Sequence, residues 1–137
     1  LKTFLQEDVR GPNLYLNPFS KIVLVGWGST KGVLLEAAQK IVAATTKMVK
    51  VVHFVDIWPF PLKRATELLI GNEQVFVVEL NQTGQFANLL KWQMAETGWN
   101  LKFHRINRYD GRPMEPRDIV DIVVGCIGQA EGEMSDG

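Results

Sequence analysis

An α/β domain built on a mainly parallel sheet is what this sequence predicts, and three observations predict it. Three short runs are continuously apolar and rich in β-branched residues, as strands buried on both faces require: Ile22-Val23-Leu24-Val25-Gly26, Val51-Val52-His53-Phe54-Val55 and Val75-Phe76-Val77-Val78. Stretches with apolar residues at helical spacing lie between them. A fourth run, Leu101-Lys102-Phe103-His104-Arg105-Ile106, alternates, which suits an edge strand with one wet face. Strand and helix therefore alternate along the chain, and helices should cover the faces of the sheet.

Taken in order, Leu1-Lys2-Thr3-Phe4-Leu5 reads as the end of a helix already under way, and Gly11-Pro12-Asn13 breaks it. Residues 1–12 are expected to be the end of a linker from a preceding domain. A weak strand is expected at Asn13-Leu14-Tyr15-Leu16. After the first buried run, the segment 31–48 carries one apolar stripe of Leu34, Ala37, Ala38, Ile41 and Val42. Pro61 suits the first position of a second helix; Leu62, Ala65, Leu68 and Leu69 follow, and Gly71 closes it. The segment 84–97 presents Phe86, Leu89, Leu90 and Met94, with Gly98 as the stop. Pro116 opens a last helix with Ile119, Ile122, Val123 and Cys126 facing inward. Residues 129–137 are small and acidic without periodicity and are expected to form a flexible tail, so the domain proper is 13–128.

The totals exclude several functions. A chain of 137 residues has room for one domain with a real core. Fifteen basic residues balance fifteen acidic ones, so there is no electrostatic reason to expect nucleic acid or an anionic membrane as partner. No apolar run is long enough to span a bilayer, and a cytoplasmic setting is the default expectation. Cys126 is the only cysteine, which excludes a disulfide framework and an iron–sulfur cluster held by this chain alone.

Four motifs could carry chemistry. Gly26-Trp27-Gly28-Ser29-Thr30-Lys31-Gly32 falls at a strand-to-helix turn, where glycines expose backbone amides that favour an anion. With Asp56 after the next strand, it imitates a dinucleotide fingerprint; alternatively it is a plain turn in which Ser29 or Thr30 caps the helix. Asp56-Ile57-Trp58-Pro59-Phe60-Pro61 is a stiff apolar loop of the kind that packs against a neighbour. Glu79-Leu80-Asn81-Gln82-Thr83-Gly84-Gln85 sets a carboxylate, amides and a hydroxyl between a strand and a helix, though capping by Asn81 or Thr83 would use part of it. Tyr109-Asp110-Gly111-Arg112-Pro113 is a polar turn after the last strand. His53 and His104 lack a second ligand within sequence reach and are expected to be structural, so no metal site follows. Cys126 sits in an apolar helical pattern and is expected to be inert.

These four motifs, in this order, resemble the alpha subunits of 2-oxoacid:ferredoxin oxidoreductases, over residues 13 to 125. Glu115 departs from the pattern, standing where the family often has a Ser or Thr cap. The resemblance implies a transketolase C-terminal-like fold: three layers, α/β/α, with a mixed five-stranded sheet of order 1-3-2-4-5 and strand 1 antiparallel. That order places a change of winding between the strands ending at Gly26 and Glu79. The turn 26–30 and the loop 81–85 are then expected to meet at the carboxyl edge, where open α/β sheets gather ligands. The complete enzymes oxidatively decarboxylate a 2-oxoacid to acyl-CoA, using thiamine diphosphate with magnesium, iron–sulfur clusters and CoA, and pass electrons to ferredoxin. The resemblance implies that this domain binds none of these cofactors and contributes no catalytic residue. Its implied work is packing against the N-terminal domain of its own subunit, the beta subunit and the dimer mate. Gly26, Trp27, Gly28, Ser29, Thr30, Asp56, Trp58, Pro59, Phe60, Glu79, Asn81, Thr83, Gly84, Gln85, Asp110 and Arg112 are the interface or switch-point candidates.

Two other readings stand beside this one. The glycine turn 26–32 with Asp56 could form a dinucleotide or phosphate-ligand module. The Trp-Gly and Thr-Gly pairs also resemble C-terminal domains of transketolase and of 2-oxoacid dehydrogenase beta subunits, which would make this an interaction domain of a thiamine enzyme outside the ferredoxin branch.

Overall fold

The three apolar runs form the middle of one sheet, in a computed structural model that describes residues 12–58, 60–79, 85–98, 102–107 and 112–136. The strands are β1 (Asn13–Leu16), β2 (Ile22–Trp27), β3 (Lys50–Phe54), β4 (Gln74–Glu79) and β5 (Phe103–Asn107), in the order β1-β3-β2-β4-β5. Only β1 runs antiparallel, against β3. β2 sits between β3 and β4 and is parallel to both, with Leu24 level with Val51 on one side and Phe76 on the other. This is the mixed sheet of the transketolase C-terminal-like fold, with its expected order and its one reversed strand.

The alternation of side chains along each strand divides the core in two. Leu24, Val51, Phe76 and Val78 point to one face, where α1 (Lys31–Thr45) and α4 (Pro116–Asp136) bring Leu34, Ala38, Ile41, Ile119 and Val123. Val23, Val25, Val52, Val75 and Val77 point to the other, covered by α2 (Leu62–Leu69) and α3 (Gln85–Ala95) through Leu69, Phe86, Leu90 and Met94. Three layers result, and they explain why the strands read as unbroken apolar runs: both faces are dry.

The structure corrects three local expectations. α1 stops at Thr45, three residues short of the expected end, because Thr46 turns left-handed (φ 61°) and its N–H closes on the Val42 carbonyl at 2.9 Å. On α4 the inward stripe is Ile119, Val123 and Ile127; Ile122, about 100° around the helix from Val123, faces outward, and Cys126 is half-buried at the rim. The segment 129–137, expected to be a flexible tail, continues α4 as helical backbone to Asp136. Up to Asp136 it contains no proline, and Ala130, Glu131, Glu133 and Met134 are good helix formers, which outweighs the one glycine there, Gly132. The expected linker 1–12 lies outside the described residues except for Pro12.

β5 is the wet edge strand the alternation predicts. His104 stacks flat on Phe76 of β4, ring centroids 4.6 Å apart, and its Nε2 is buried with no partner among the described residues. Burial and, secondarily, the charge of Lys102 push its pKa below the ordinary 6.5. A depressed histidine pKa means that the unfolded chain takes up the proton first as pH falls. Stability should therefore drop as pH is lowered from about 6.5 through the folded-state value. His104→Phe keeps the stack and removes the titration. Its urea midpoint is expected to change less between pH 7 and pH 5 than that of the parent; parallel pH profiles would contradict the assignment.

Candidate switch-point cavity

The chain leaves β2 through α1 on one face of the sheet to reach β3, and returns through α2 on the other face to reach β4. The carboxyl ends of β2 and β4 are therefore the point where the winding changes. β2 ends at Trp27, and a 3₁₀ turn (Gly28–Thr30) leads straight into α1. Two glycines make this turn possible. Gly28 adopts φ +71°, which a side chain would resist. At Gly26 a Cβ would come within 2.5 Å of Leu34 Cδ1 and closer still to Thr30 Oγ1, so a side chain there would force Leu34 or Thr30 to move.

Helix capping is not what Thr30 does. Its backbone is right-handed helical and makes no side-chain cap bond; the hydroxyl donates back to the Trp27 carbonyl at 3.2 Å, tying the turn to the strand. Ser29 is exposed on the cavity wall. His53, buried in β3 beside Gly26, holds the turn from the other side: its Nε2 lies 2.6 Å from the Gly28 carbonyl. Because a carbonyl only accepts, that nitrogen carries the proton.

Glu79 ends β4 and is 4% exposed. Its Oε1 accepts the Phe86 backbone N–H at 2.6 Å, satisfying one of the free amides at the start of α3, where the helix dipole also favours a carboxylate. Its Oε2 is buried with no hydrogen-bond partner among the described residues. Between these two strand ends lies a cavity of about 220 Å³, lined by Trp27, Gly28, Ser29, Val78, Glu79, Gln85 and Phe86. A row of aromatic rings runs under it. Trp27 lies 6.2 Å from Phe86, Phe86 meets Phe54 edge-on at 5.3 Å, and Phe54 stacks on Phe60 at 5.6 Å.

The structure thus brings Trp27, Gly28, Ser29, Glu79 and Gln85 around one cavity, with Gly26 and Thr30 shaping the turn behind it. Phe60 joins through the aromatic row. Trp58 stands 80% exposed on the loop after β3. Asp56 is half-buried on that loop and is not among the described lining residues, and Arg112 is exposed ahead of α4. Pro59, Asn81, Thr83, Gly84 and Asp110 lie outside the described residues. Phe86 and Phe54 were not singled out from sequence; each fits the apolar pattern of its own element, and no local signal marks rings that meet only in the fold.

The chemistry of the cavity disfavours a phosphate. Its described lining offers one carboxylate and no lysine or arginine, and the glycine turn does not share it with Asp56. A diphosphate cofactor does not fit these residues. Among the described residues no group of three His, Cys, Asp or Glu side chains is placed to hold a metal ion, and no helix is long and apolar enough to cross a membrane.

Comparison with known proteins agrees with this architecture. No family model matches the sequence. The chain is 30% identical over 119 residues to the 2-oxoacid:ferredoxin oxidoreductase subunit alpha of Saccharolobus solfataricus, an alignment covering 87% of this chain and 18% of that protein. It is 37% identical over 116 residues to subunit alpha of 2-oxoacid:ferredoxin oxidoreductase 2 from Aeropyrum pernix, covering 82% of this chain and 17% of that one. The chain therefore spans less than a fifth of the length of the curated relatives it matches. Among solved structures, it superposes on 2-oxoglutarate:ferredoxin oxidoreductase from Magnetococcus marinus with a TM-score of 0.70 and 26% identity, over 90% of this chain and 21% of the other. The alpha chain of a probable 2-oxoacid ferredoxin oxidoreductase from Thermoplasma acidophilum gives 0.53 and 26%, over 85% of this chain and 96% of the other. A split-gene transketolase gives 0.67 at 21% identity, over 86% and 43%, a likeness of fold alone.

Proposed function

We propose that this chain, a relative of 2-oxoacid:ferredoxin oxidoreductase alpha subunits, is their transketolase C-terminal-like domain and serves in assembly rather than in catalysis. In this reading the whole enzyme is thiamine-diphosphate-dependent and converts a 2-oxoacid to acyl-CoA with ferredoxin as acceptor. The domain packs against the remainder of its own subunit, the beta subunit and the dimer mate.

The observation that carries the assembly role is the exposure at the carboxyl edge of the sheet of Trp27 (43%), the last residue of β2, and of Trp58 (80%), on the loop after β3. Tryptophans left in water next to a buried aromatic row are costly for a free surface and typical of the anchors of an interface. The dinucleotide alternative loses its main support because the glycine turn and Asp56 do not line one cavity.

Capture from extract of its own source tests the proposal: the tagged chain should retain the beta subunit or the remainder of the alpha subunit, identified by mass. Turnover of a 2-oxoacid with ferredoxin by this chain alone would contradict it.

A further inference from the structure

We infer that the switch-point cavity is a socket for a cationic, N–H-donating group, and that its occupant is a lysine or arginine side chain of a protein partner. The first support is a buried carboxylate that is only half satisfied. Oε1 of Glu79 takes the Phe86 amide, while Oε2 has no partner among the described residues. Native structures leave few buried polar atoms unpaired, because each costs the desolvation of that group. A charged N–H donor supplies what is missing and makes the stronger kind of hydrogen bond. Glu79 is itself one of the residues that line the cavity, so a donor seated there lies beside its carboxyl group.

Size and walls point the same way. At about 220 Å³ the cavity is below the range of roughly 300–1,000 Å³ typical of drug-sized ligands. It suits the end of one side chain rather than a nucleotide. Trp27 and Phe86 line the cavity with Glu79, and aromatic walls add attraction for an ammonium or guanidinium group that reaches a ring face. No lysine or arginine of the described lining competes for the carboxylate. Trp27 is half-exposed, so the socket stands beside the surface assigned to assembly. The inference deepens the assembly reading and rests on it for the source of the occupant, but not for the chemistry of the socket.

The test titrates N-acetyl-arginine amide into the 137-residue chain, followed by NMR of the Trp27 indole and the Phe86 amide. Saturable shifts are expected in the parent, with affinity at least tenfold weaker in Glu79→Gln. That variant keeps an acceptor for Phe86 and replaces the second acceptor with a donor. N-acetyl-glutamine amide should shift neither signal. No shifts in the parent, or equal affinity in Glu79→Gln, would overturn the socket. Tighter binding of n-butylammonium than of either N-acetyl-arginine amide or N-acetyl-lysine amide would overturn the assignment to a protein side chain. Capture of the partner subunit separates the two claims: a parent chain that binds the subunit and a Glu79→Gln chain that binds it equally well would sink the socket alone. A parent that captures nothing would sink the assembly reading, while the titration still decides the socket.

Discussion

Phe86→Ala is expected to destabilise the fold by about 3–5 kcal/mol, the usual cost of truncating a fully buried aromatic. Phe86 is buried and touches Trp27 on one side and Phe54 on the other, so its loss interrupts the aromatic row at its centre. These neighbours are held on two different strands and cannot both collapse into the void, which places the cost at the upper end. Against a total stability of about 5–15 kcal/mol, the change should be plain in urea unfolding, lowering the midpoint by about 1 M or more. The half-buried Leu89 is the control: Leu89→Ala on the same helix should cost clearly less. A Phe86→Ala loss below about 1 kcal/mol would mean that the row is not part of the core.

Gly26→Ala is expected to cost about 1–3 kcal/mol by overpacking, although glycine-to-alanine changes within strands are ordinarily favourable. The new methyl would collide with Thr30 Oγ1 and Leu34 Cδ1. Leu34 can change rotamer only within a filled core. Thr30 can move only by giving up its bond to the Trp27 carbonyl. If that collision is the cause, adding Thr30→Ala should recover part of the loss, and the double-mutant cycle should show coupling of about 0.5 kcal/mol or more. Additive effects would place the strain elsewhere. Because the same contact shapes the cavity wall, Gly26→Ala should also move the Trp27 indole signal.

Much of the architecture was legible because burial on both faces writes itself into sequence. Runs such as Val23-Leu24-Val25 and Phe76-Val77-Val78 have no polar member, and only a strand in the middle of a covered sheet requires that. The strand order came instead from the resemblance, since no local pattern says that β3 and β4 flank β2. The site was legible in part. Trp27, Gly28, Glu79 and Gln85 stood out because glycines and polar groups at strand ends are unusual in otherwise apolar segments. Phe54 and Phe86 were hidden because a ring in a buried strand and a ring on a helix stripe are already explained by their own elements. Thr30 misled for a related reason: a hydroxyl before a helix normally caps it, and only the 3₁₀ turn, which puts its backbone in a helical conformation, diverts it to the Trp27 carbonyl. Ile122 and the end of α4 were misjudged because an apolar residue off the stripe and a helix without strong periodicity leave little local trace.

The most direct test of the account is quantitative binding of the tagged chain to the beta subunit from its own source, with and without Trp27→Ala and Trp58→Ala. The account predicts binding by the parent, and a loss of about thirtyfold or more in the double variant, as for two interface anchors worth together about 2 kcal/mol or more. Unchanged circular dichroism would show that the variant is folded. A folded parent chain that binds neither the beta subunit nor the remainder of the alpha subunit would contradict the claim that this domain exists to assemble the enzyme.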